Sequence, residues 1–98
     1  MGKYKLTRKA LFDLSEIWNY TNENWGEKQA DGYYRLLISG IEKLSSNPGV
    51  YGKSYEYIAE GLKGFIVSRH IIFYKKSIDG QILIIRILHQ QMDIPSYF

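Results

Sequence analysis

Two amphipathic stretches separated by a single Trp-Gly step constrain this chain more than any other feature. From Arg8 onward, Ala10, Leu11, Leu14, Ile17, Trp18 and Trp25 fall on one side of a 3.6-residue helix, with Lys9, Asp13, Glu16 and Glu23 on the other. From about Glu27 to Ser46 a second stripe follows: Ala30, Tyr33, Tyr34, Leu37, Ile38, Ile41 and Leu44. Trp25-Gly26 ends the first helix, since glycine tolerates a left-handed C-terminal turn. Asn47-Pro48-Gly49 stops the second. With almost no chain between them, the two helices must pack as an antiparallel hairpin. Gly32 and Gly40 each cost the second helix about 1 kcal/mol relative to alanine, and the ordinary reason to keep them is close approach of another backbone.

The remainder reads as strand and loop. Lys3 to Thr7 is a short strand running into the first helix, with Thr7 as its N-cap. Val50 to Gly61 is mostly loop. Lys63 to Ser68, His70 to Lys76 and Gln81 to His89 are strands, and Asp79-Gly80 supplies the turn between the last two. Ile82 to Ile85 is apolar at every position, as expected of a strand covered on both faces. The expected architecture is α+β: an N-terminal strand and an antiparallel helical hairpin packed on a small antiparallel sheet. A length of 98 residues fits one domain spanning 1–98.

Several function classes are excluded at once. There is no cysteine, so neither a disulfide framework nor a thiolate metal site can form. The stretch Met1-Gly2-Lys3-Tyr4-Lys5 has no apolar core of a signal peptide, and no apolar run approaches the roughly 18 residues that span a bilayer. A cytoplasmic location is the expectation. The net charge of +3 is a mild excess, short of a dedicated nucleic-acid binder, and leaves room for an acidic partner.

A search for catalytic chemistry finds little. His70 and His89 are the only imidazoles, they come from different strands, and no His-x-x-x-His motif accompanies them, so no metal and no cofactor are expected. No serine sits in a Gly-x-Ser-x-Gly context, and no glycine-rich loop joins a strand to a helix. Metal-free RNA cleavage is the serious alternative. It needs a base, an acid and cations for the charged phosphorane. Arg69, Arg86 and Lys63 could supply the charge; Glu56, Glu60, His70 or His89 could move protons. Strand alternation argues against it, because Arg86 then shares a face with Ile82, Ile84 and Leu88, and His89 shares the other with Leu83, Ile85 and Ile87. The two converge only if the strand twists or bulges at Leu88.

Each candidate also has a plainer role. His89 can close the end of the last strand, and His70 can begin a core strand. Arg86, on an otherwise apolar strand, calls for a carboxylate such as Asp93, a pairing that would fix the C-terminal segment to the sheet. Trp18 and Trp25 read as packing between hairpin and sheet. Phe12 lies on the polar side of the first helix near Glu16, either as a lone exposed ring or as part of a patch for a partner helix. Ile94-Pro95-Ser96-Tyr97-Phe98 is apolar enough that it must fold back on the sheet or meet a partner.

Taken together, Leu6-Thr7 with Ala10 and Asp13-Leu14, Trp25-Gly26 with Gln29-Ala30, Asn47-Pro48, Gly61-Leu62-Lys63, His70-Ile71-Ile72-Phe73-Tyr74, Arg86-Ile87-Leu88-His89 and Met92-Asp93 resemble ParE toxins of the RelE/ParE toxin–antitoxin superfamily. In this order the segments run through most of the chain. The resemblance implies the fold read above, a ParD-like antitoxin that wraps the toxin through a segment folding on binding, and DNA gyrase as the target. It implies contact with DNA only indirectly, through gyrase or the antitoxin complex. The RelE branch instead cleaves messenger RNA on the ribosome. On the ParE reading the chain is not an enzyme. Arg86, His89, Met92, Asp93, Tyr97 and Phe98 are then expected at the target, and Phe12 and Glu16 at the antitoxin. On the RelE reading the participants are Arg69, Arg86 and His89.

Overall fold

The computed structural model describes residues 3–98; Met1 and Gly2, part of the N-terminal stretch read above, lie outside it. Strand β1 (Tyr4–Leu6) leads into helix α1 (Arg8–Trp25), helix α2 (Glu27–Ser46), strands β2 (Lys53–Ser54), β3 (Lys63–Val67), β4 (His70–Lys76) and β5 (Ile82–His89), and a C-terminal 3-10 turn (Ile94–Tyr97). The helices form a hairpin on one face of a single five-stranded sheet of order β1-β5-β4-β3-β2.

Thr7 shows how local sequence sets the tertiary fold. Its hydroxyl oxygen accepts the Ala10 amide at 3.0 Å, capping α1, and donates to the Ile85 carbonyl at 2.8 Å. Its own amide donates to the Ile84 carbonyl at 3.0 Å. One residue therefore ends β1, starts α1 and fastens both to β5. The connection between the helices is Gly26 alone, at φ 93°, a conformation that a side chain would strain.

The sheet differs from the expected one in two ways. It is mixed, because β1 pairs with β5 in parallel, Tyr4 opposite Ile82 and Leu6 opposite Ile84. The crossover through the whole helical hairpin makes that direction possible. The segment expected as loop also contributes β2, two residues antiparallel to β3.

Both faces of the sheet are covered. On the helix side, Ala10, Leu14, Leu37, Ile41, Leu44, Ile72, Tyr74, Ile82, Ile84 and Ile87 form one core. On the other side, Tyr55, Leu62, Ile71, Phe73 and Leu88 form a second, closed by Ile58 and Ala59 of the loop and Ile94 of the C-terminal turn. Burial of this kind, at about 25 cal/mol per Å² of apolar surface, is what stabilises a chain this short.

The helix stripes need correction at their margins. Asp13, assigned to the polar side, is buried, whereas Leu11 and Trp25 are 53% and 62% exposed. Counting 100° per residue from Ala10, Asp13 falls about 60° to one side, within the stripe, and Leu11 falls about 100° to the other, outside it. Trp25 lies in the last turn of α1, where its ring meets Tyr20 edge-on. Tyr34 is likewise exposed. Gly40 does sit at a close approach, since a β-carbon there would lie 2.6 Å from Val67 Cγ2 of β3; Gly32 faces open space and has no such reason.

Candidate functional site

Between the flank of α1 and the end of the sheet lies a groove of about 960 Å³. Phe12, Glu16, Tyr20 and Trp25 of α1 form one wall. Arg86 to His89 of β5, with Met92 and Tyr97 beyond it, form the other. Tyr33 of α2 and the Ser68-Arg69-His70 turn close one end. The groove thus gathers both expected partner sets, Phe12 and Glu16 from one and Arg86, His89, Met92 and Tyr97 from the other. Two expected residues are not in its lining. Asp93 begins the C-terminal turn, and Phe98 packs edge-on against Phe73 on the opposite face of the sheet, centroids 5.1 Å apart.

Arg86 is held by Asp13, not by Asp93. Its Nε and Nη2 donate to Asp13 Oδ2 and Oδ1, each at 2.8 Å, and the Ile87 amide donates to the same Oδ2 at 2.9 Å. The bidentate bond holds the guanidinium pKa above its ordinary value against the opposing effect of burial. The C-terminal segment is tied to Arg86 all the same, because the Tyr97 ring lies over the guanidinium at 5.3 Å.

Strand parity changes just before this residue. Tyr74 faces Ile84 and Phe73 faces Arg86, so Ile85 is an extra residue in β5. Consequently Ile82 and Ile84 join Ile87 in the helix-side core, while Ile85 joins Leu88 on the other face. The irregularity lies at Ile85, not at Leu88. Arg86 and His89 nevertheless both reach the groove, because the guanidinium extends to α1 at its wall.

The two histidines are direct partners across β4 and β5, rings nearly perpendicular at 5.2 Å. His70 Nδ1 bonds the Tyr33 hydroxyl at 2.7 Å, and the Arg69 amide donates to that hydroxyl at 3.3 Å. Burial, aided by His89 and opposed by Asp13, lowers the His70 pKa to about 4, so this ring is neutral at pH 7. His89 Nδ1 accepts the Gln91 amide at 3.1 Å. Among the described residues no three His, Cys, Asp or Glu side chains gather as metal ligands would, and no helix is long and apolar enough to cross a membrane.

Of the residues weighed for RNA cleavage, Arg69, His70, Arg86 and His89 line the groove, whereas Lys63, Glu56 and Glu60 do not. Glu56 instead accepts the Gly61 amide within its own loop. Sequence reasoning missed Asp13 and Tyr33 as residues of the site. The position of Asp13 within the apolar arc of α1 was the available signal for it. The Tyr33 to His70 bond, between residues 37 apart, left none.

A helical hairpin on a five-stranded mixed sheet is also the fold of solved chains from toxin–antitoxin systems. A family model described as the ParE toxin of the type II toxin–antitoxin system parDE matches residues 4–94. The chain belongs to that ParE toxin family. It is 37% identical over 93 residues to Toxin ParE1 of Caulobacter vibrioides, covering 95% of this chain and 94% of the relative. It is 31% identical over 94 residues to Toxin ParE of Escherichia coli, covering 96% and 90%. Among solved structures, a chain of the chromosomal ParDE system of P. aeruginosa superposes with a TM-score of 0.76 at 22% identity, covering 91% of this chain and 96% of that one. A chain of the RelBE2 toxin–antitoxin complex of Mycobacterium tuberculosis superposes at 0.63 and 18% identity, covering 91% and 98%. These two likenesses concern the fold.

Proposed function

We propose that this toxin acts in the cytoplasm by binding DNA gyrase and stabilising broken DNA, without catalysis of its own, and that a ParD-like antitoxin silences it by filling the groove beside α1. The observation that carries this reading is the convergence of Phe12, Glu16, Arg86, His89, Met92 and Tyr97 on one groove. An antitoxin segment lying there hides the surface that the target would otherwise meet. Antitoxin and target are then competitors for one surface, and neutralisation follows from occupancy. Asp93 and Phe98 shape the C-terminal turn and present Tyr97 to the target.

The state of Arg86 also favours binding over catalysis. A phosphorane needs a cation free to meet developing charge, and this guanidinium is spent on Asp13. The second reading, ribosome-dependent cleavage of messenger RNA, draws on Arg69 and the two histidines in the same groove. Cells induced to make the chain separate the two. Broken chromosomal DNA with intact transcripts supports the gyrase reading; cut transcripts with an intact chromosome overturn it.

A further inference from the structure

One end of the groove carries polar groups that no other described residue uses. His89 Nδ1 accepts the Gln91 amide, so the proton of the neutral ring lies on Nε2. The Tyr33 hydroxyl shares its 2.7 Å hydrogen bond with His70 Nδ1 and accepts the Arg69 amide, so Nε2 is the nitrogen of His70 left over for a ligand. Among the described residues neither Nε2 has a partner, and the Arg69 guanidinium forms no ion pair. Arg69, its neighbour His70 and His89 all line the groove, the two rings 5.2 Å apart, and the nearest buried carboxylate, Asp13, is committed to Arg86.

We propose that the corner formed by Arg69, His70 and His89 recognises the carboxylate of an acidic residue carried on an apolar polypeptide segment. The rest of the groove decides between a protein and a phosphodiester. Its walls are Phe12, Trp25, Met92 and Tyr97, which suit apolar side chains, and Glu16 on the α1 wall repels a polyanion. A partner with a single carboxylate and flanking apolar residues satisfies the corner and the walls together. A charged acceptor roughly doubles the strength of a neutral hydrogen bond, and partial desolvation strengthens it further by lowering the local dielectric. His70 is neutral at pH 7 and presents its unpartnered Nε2 edge. Asp13, Glu16, Tyr33, Arg69 and Arg86 share the lining of the groove with the two rings, and Tyr33 bonds His70 directly. The proposal rests on reading this groove as the antitoxin's seat and adds the chemistry of one anchor within it.

The test uses the full chain and two capped tripeptides, Phe-Glu-Leu and Phe-Gln-Leu, titrated while the ring resonances of His70 and His89 are followed by NMR. Saturable shifts of both rings are expected with the glutamate peptide, and binding of the glutamine peptide is expected to be about tenfold weaker or worse. Arg69→Ala should weaken the glutamate peptide by a similar factor while leaving the rest of the spectrum in place. Equal affinity for the two peptides, or no saturable ring shift, overturns the proposal. Tighter binding of a short oligothymidylate overturns it too and assigns the corner to a phosphate backbone. A toxin inactive on gyrase leaves the peptide result standing. Full antitoxin affinity with no peptide discrimination removes the anchor and spares the groove.

Discussion

Asp13 on α1 and Arg86 on β5 form a two-point ion pair, both bonds 2.8 Å, that bolts the helical hairpin to the second strand of the sheet. Both side chains are nearly buried, 8% and 13% exposed, and the Ile87 amide completes the carboxylate's shell. Removing one partner strands the other charge in a poor solvent for it. Arg86→Ala should therefore cost about 3 kcal/mol or more. The double variant Asp13→Leu with Arg86→Met should cost much less than the two single changes added together. Urea unfolding of the four proteins measures the cycle, and simple additivity would show that the pair is not coupled. Loss of toxicity in Arg86→Ala then reports a weakened fold before it reports a lost target contact.

The glycines of α2 provide a matched pair. Gly32 faces open space, so Gly32→Ala should stabilise the chain by about 0.5–1 kcal/mol through helix propensity alone. Gly40 lies against Val67, where a β-carbon would come within 2.6 Å of Cγ2. Gly40→Ala should thus lose that gain and destabilise by about 1 kcal/mol or more. Thermal midpoints moving in opposite directions confirm how the hairpin sits on β3; a rise in both contradicts it.

Ser68 holds φ 55° in the tight turn between β3 and β4, a region that a side chain occupies at a cost of about 1 kcal/mol or more. Ser68→Gly should raise stability by about 1 kcal/mol in the same unfolding assay. An unchanged midpoint would mean that the turn carries no strain.

His70 links stability to pH. Its folded pKa of about 4 lies below the ordinary 6.5, so the unfolded chain takes up a proton more readily. The contribution is fully present above pH 6.5 and is lost as pH falls from 6.5 towards 4. The ring is only partly buried, and discounting for solvent screening leaves roughly 1–2 kcal/mol over that window. His70→Gln should flatten this part of the stability profile, and an unchanged slope would assign the acid sensitivity elsewhere.

How much of this was legible in the sequence depends on what each feature leaves behind. The hairpin was legible because two long apolar stripes meet at Gly26, and the three-strand meander because turn residues punctuate it. The Ile85 bulge was not, since Ile82 to Ile85 is apolar throughout and offers no alternation for an extra residue to break. The parallel pairing of β1 was hidden because three residues carry no signal of direction. The partner of Arg86 was misassigned because Asp13 was sorted by its charge, when its angle on α1 placed it with Ala10 and Leu14. The groove itself joins residues from α1, α2, β4, β5 and the C-terminal turn, a juxtaposition set by tertiary packing and absent from local pattern.

The C-terminal segment separates fold from function. Tyr97 covers the Arg86 guanidinium and Phe98 meets Phe73, yet both rings remain about 40% exposed. Deleting Tyr97 and Phe98 should cost only about 1–2 kcal/mol of stability and should weaken growth arrest strongly. Full toxicity in a folded truncation would remove this segment from the target interface.

The most direct measurement is a gyrase reaction with purified chain, relaxed plasmid and ATP, resolved on a gel. The account predicts that supercoiling is lost and linear cleaved DNA accumulates, and that an equimolar antitoxin filling the groove reverses both. Unaffected supercoiling at a large excess of folded protein would contradict it.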